Sequence, residues 1–106
     1  MRSLLFIIVV AASACTSAQS TGITEASLTC DSSLTYANFG EAFISTNCGE
    51  CHAGKESPNL STQAAVKSNS ARILQEAVYT TAMPQNADIS NDERTLLGQW
   101  LTCGAP

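Results

Sequence analysis

A chain of 106 residues has room for one small domain, and nine acidic against five basic residues give it a formal charge of −4. That balance argues against a nucleic-acid-binding surface, which needs clustered Lys and Arg. With five cysteines and a single histidine, sulfur carries much of whatever chemistry the chain performs.

The chain opens on an export signal. Arg2 is a minimal positive start, and the apolar run from Leu4 to Ala12 is too short to span a bilayer. Ala12-Ser13-Ala14-Cys15 resembles the bacterial lipobox, which implies a signal peptide over 1–14 and a diacylglycerol on Cys15, anchoring the protein to a membrane. Thr16-Ser17-Ala18 offers ordinary cleavage after Ala18 instead, which would discard Cys15. Either route delivers the domain to an oxidising compartment, periplasmic or tethered to a bacterial membrane by its N-terminal lipid. Without Arg2, four basic residues face nine acidic ones, a formal −5. A basic face on a partner protein would be steered towards such a surface at low salt.

Residues 15–29 are mostly small and polar without periodicity and read as a flexible tether with a reach of about 20 Å, leaving 30–106 as the domain. Within it the pattern predicts an all-α fold of about three helices. The first follows Asn38 and Glu41, spaced as a capping box, carries Tyr36, Phe39, Phe43 and Ile44, and runs into Cys48. A middle segment covers about 61–80, with Ile73, Leu74, Ala77 and Val78 on one face and a restart at Ser70. In the last, Ser90 and Glu93 form another capping box, Leu96, Leu97, Trp100 and Leu101 make the apolar stripe, and Gly104 suits the C-terminal end. Two loops marked by Pro58 and Pro84 separate these helices, and Pro84 biases Met83 away from helix.

Cys48-Gly49-Glu50-Cys51-His52 carries the chemistry. Two thiols at this spacing can add to the two vinyl groups of one porphyrin, placing the adjacent imidazole beneath the iron, so the motif reads as an attachment site for one covalent haem c. His52 is the only histidine and Met83 the only methionine after the initiator, so each axial position has one candidate of its type and the chain is expected to be an iron- and metal-binding protein. A dithiol redox pair would follow a strand, and none precedes Cys48. A tetrahedral zinc site is disfavoured because Cys51 and His52 are adjacent.

The remaining cysteines are an even pair. A Cys30–Cys103 disulfide would close a loop of roughly seventy residues, worth about 4 kcal/mol by loop entropy. Two unrelated thiols are the alternative, disfavoured in an exported protein.

From Tyr36 to Leu101 the chain resembles the class I c-type cytochromes, specifically the small exported monohaem domains. A helix leads into Cys48-Gly49-Glu50-Cys51-His52, Pro58-Asn59-Leu60 follows, Met83-Pro84 comes later, and a terminal helix bears Leu97 and Trp100. Gly40 stands where the family often has a small residue at the crossing of first and last helices. The resemblance implies a fold wrapped around one haem, His52 as proximal and Met83 as distal ligand, and the Pro58 carbonyl as acceptor for the His52 ring N–H. It also implies no enzymatic step but single-electron transfer between redox proteins, a donor and an acceptor. Easy loss of Met83 would instead allow a peroxidase-like enzyme or a gas or redox sensor, and an accessory subunit of a larger redox complex is a third reading.

Overall fold

The computed structural model describes residues 18–85 and 87–106. The segment 1–14 expected to be a signal peptide and Cys15 lie outside the described residues, and so does Asn86. Among the described residues the fold is all-α, with no strand and a single isolated bridge between Ser20 and Thr80. No described helix is long and apolar enough to cross a membrane.

The first helical region begins three residues earlier than expected. Thr35 caps it: its hydroxyl accepts from the Asn38 N–H at 3.1 Å, and the Asn38 side chain accepts from the Thr35 N–H at 2.8 Å. Asn38 is therefore the third residue of a capping box rather than its cap, because Thr35-x-x-Asn38 satisfies the same reciprocal geometry one turn upstream. A wide π-helical turn, Tyr36–Gly40, passes into helix α1, Glu41–Asn47, and after Cys48 a short helix α2, Gly49–His52, carries the thiol motif.

The middle segment is broken into pieces. Thr62 caps helix α3, Gln63–Ser68; Asn69 interrupts it; helix α4, Ser70–Ile73, then widens into a π-helical turn, Leu74–Val78. Helix α5, Asn91–Thr102, starts on the expected Ser90–Glu93 capping box and stops at Gly104, whose φ of +88° glycine adopts without strain.

Two glycines set how these pieces cross. A Cβ on Gly40 would fall inside the Trp100 ring, so the first helical region lies directly on α5. A Cβ on Gly98 would lie 2.8 Å from the Leu28 side chain and 3.0 Å from that of Val78. Around the first crossing, Phe39 meets Trp100 edge to face at 5.9 Å and Phe43 at 5.2 Å. The C-terminal residue secures the same corner, since the Pro106 carbonyl accepts from the Tyr36 N–H at 2.5 Å and from the Trp100 indole N–H at 3.3 Å. Cys30 and Cys103 are joined by a disulfide across 73 residues, tying the start of the domain to the end of α5.

Two expectations change here. The stretch expected as a flexible tether lies against the helical body from Gln19 onward: the Thr21 N–H donates to Tyr79 O at 3.0 Å, the Thr81 N–H to Gln19 O at 2.9 Å, and Leu28 is buried. Its bonds are to residues about sixty positions away, which no local periodicity reveals. On α5, Leu96 is 40% exposed while Arg94 is buried, because the face that continues through Leu97, Gly98 and Leu101 begins at Arg94.

Candidate functional site

The end of α1, helix α2 and the loops around Pro58 and Met83 enclose one cavity of about 390 Å³. Cys48, Cys51, His52 and Met83 all line it, within the range of sizes that hold small cofactors. A smaller space of about 40 Å³ on its inner side is bordered by Cys48, His52, Pro58, Leu60, Ile73 and Met83, among others. The cavity therefore brings Cys48 and Met83, 35 positions apart in the sequence (48 to 83), to one site.

Each side chain is placed by its backbone. Cys48 ends α1, its N–H donating to Ile44 O at 2.8 Å; the His52 N–H donates to Cys48 O at the same distance, so one helical turn sets the thiols and the imidazole side by side. The His52 ring Nδ1 lies 2.8 Å from Pro58 O, and the Leu60 N–H donates to His52 O at 2.6 Å. A backbone carbonyl can only accept, so Nδ1 carries the proton and Nε2 is the ring nitrogen left to bind. Met83 sits in the loop after the Leu74–Val78 turn, outside any helix. Its N–H donates to Glu76 O at 2.8 Å and its carbonyl accepts from Arg94 Nη1 at 2.7 Å.

Burial pushes the Cys48 thiol up to about 11. A redox dithiol needs a thiol whose acidity is enhanced, so this environment disfavours disulfide exchange at neutral pH. Arg72, close to the smaller space, is exposed.

The expectation of a metal-binding protein needs correction. Among the described residues no group of three or more His, Cys, Asp or Glu could hold a metal ion. The physical reason is local: the single imidazole has one nitrogen committed to Pro58, and its neighbour Cys48 is held as a neutral thiol by burial. Among the described residues the chain by itself assembles no polydentate cage.

Arg94 was not legible as part of this site. Its guanidinium is buried under the loop that bears Met83, donating from Nη1 to Ala77 O at 2.7 Å and Thr80 O at 3.3 Å as well as to Met83 O. The sequence signal was a lone basic residue at the start of the apolar face of an otherwise well-patterned helix.

Comparison with protein-family models, with curated proteins and with solved structures found no match for this chain.

Proposed function

We propose that this chain is an exported monohaem protein similar to the class I c-type cytochromes, a carrier of single electrons between redox proteins. The observation that carries the reading is the convergence of Cys48, Cys51, His52 and Met83 on one cavity. Haem c held there by Cys48 and Cys51, with His52 and Met83 offering a nitrogen and a sulfur to its iron, would supply one-electron chemistry.

The roles of the residues follow from their placement. Cys48, which joins α1 to α2, and Cys51, on α2, would hold the porphyrin edge through thioethers. His52 would offer Nε2, oriented by the Nδ1–H bond to Pro58 O, which also raises its basicity. Met83 would offer its thioether from the opposite loop. With His52 and Met83 both engaged, the group would be closed to oxygen and peroxide, which would suit outer-sphere transfer rather than an enzymatic step. Phe39, Phe43 and Trp100 stiffen the helix crossing next to the site, keeping reorganisation on electron transfer small. The acidic balance of the chain would steer it towards basic faces on its donor and acceptor. An export signal with lipid on Cys15 would hold it at a membrane.

Optical titration of the matured protein under controlled potential tests the proposal. A single one-electron wave, low-spin spectra at both ends and slow carbon monoxide binding to the reduced form are expected. Rapid carbon monoxide binding by the reduced protein would contradict the carrier reading and favour the enzyme or sensor.

A further inference from the structure

Arg94 is a charged side chain that is 4% exposed and holds backbone carbonyls of three residues. Ala77 O belongs to the end of the Leu74–Val78 turn, where carbonyls lack intrahelical donors and the backbone dipole is negative, and Thr80 O lies just beyond it. The third carbonyl is that of Met83 itself, at 2.7 Å. Asp88 and Glu93 favour the charged guanidinium, opposing the cost of its burial. One guanidinium nitrogen on α5 thus ties the end of the π-helical turn to Met83, which lines the cavity together with His52.

We propose that Arg94 is the positioning residue for Met83, holding its backbone so that the thioether stays on the haem iron. This rests on the proposed haem site and adds to it the group that makes the sixth position closed. The Met83 N–H is already bonded to Glu76 O, so the Arg94 contact completes a grip on both ends of one residue. A surface lysine or arginine elsewhere would not act this way, because exposed charge pairs contribute little and are screened by salt.

The test compares matured wild type with Arg94→Met and Arg94→Lys, each carrying covalent haem. The readouts are the near-infrared sulfur-to-iron band of the oxidised form as pH is raised, and the rate of carbon monoxide binding to the reduced form. In Arg94→Met the band should vanish at lower pH, and carbon monoxide should bind about ten- to a hundredfold faster, the range expected for losing a charge-assisted hydrogen bond. Arg94→Lys, which keeps the charge but places it on a flexible, more strongly hydrated ammonium, should fall between. It also carries the test if Arg94→Met fails to accumulate. A merely structural role would lower unfolding temperature without moving band or rate in the folded protein, and that result overturns the assignment of Arg94. Wild type that carries haem but lacks the band overturns Met83 ligation itself, a failure distinct from that of Arg94.

Discussion

The ring Nδ1 of His52 lies 2.8 Å from the carbonyl oxygen of Pro58, six residues downstream. This bond fixes the tautomer of the histidine and makes Nε2 a stronger electron-pair donor, which would stabilise ferric iron in the proposed haem site. Replacing Pro58 by Gly frees the loop and should weaken the bond. The midpoint potential is expected to rise by about 20–60 mV, where 59 mV is a tenfold change for one electron. A potential unchanged to within about 10 mV, read on the same scale by potentiometric titration, would remove Pro58 from the site.

Met83→Ala should leave haem attached through Cys48 and Cys51 while opening the sixth position. The oxidised spectrum should turn high-spin, the potential should fall, and carbon monoxide should bind quickly. An unchanged low-spin spectrum and potential would show that Met83 is not the axial residue.

The Gly40–Trp100 contact gives a stability prediction independent of any cofactor. Gly40→Ala places a methyl group where the Trp100 ring sits, in a region already close-packed by Phe39 and Phe43. Overpacking of this kind should cost about 2–3 kcal/mol. Denaturant unfolding measures it; a change below about 0.5 kcal/mol would mean that the two helices do not cross there.

Cys30→Ser with Cys103→Ser removes the link that closes 73 residues of separation. Loss of that constraint on the unfolded chain should cost roughly 4 kcal/mol. The double variant should unfold at markedly lower denaturant, while reduced and oxidised wild type should differ by the same amount.

Cys48 gives a pH dependence with a definite sign. Burial raises its thiol from 9.0 to about 11, so the folded chain holds this proton more tightly than the unfolded one. The stability it contributes is complete below pH 9 and is lost as pH rises through about 11. In the chain before cofactor attachment, Cys48→Ala should flatten the fall in denaturant midpoint across that window. A thioether has no such proton, so the matured protein should lack this component. Identical alkaline slopes with and without the Cys48 thiol would contradict the buried placement.

What the sequence disclosed was what depends on neighbours within a turn or two. Ser90 and Glu93 specify the start of α5 by themselves, and Cys48 to His52 share one turn, so both were legible. The first cap was misplaced because Asn38–Glu41 and Thr35–Asn38 fit one template, and only the observed reciprocal bonds distinguish them. Arg94 was passed over, and the segment from Gln19 to Leu28 misread, for a different reason. Their partners are carbonyls and hydroxyls 11 to about 60 residues away, and a charge or a run of Ser and Thr looks solvated until those partners are in place. Leu96 shows the reverse error, an apolar residue counted into a stripe that the helix turns outward.

The central claim is that the chain carries one porphyrin through Cys48 and Cys51. Expression in a bacterium with working cytochrome maturation machinery, followed by intact mass and an alkaline pyridine spectrum, tests it directly. Red protein heavier by one haem is expected, with the spectrum of a porphyrin linked through two thioethers, and no such mass in Cys48→Ala with Cys51→Ala. Colourless protein with the polypeptide mass alone, from a host that matures a control cytochrome, would contradict it.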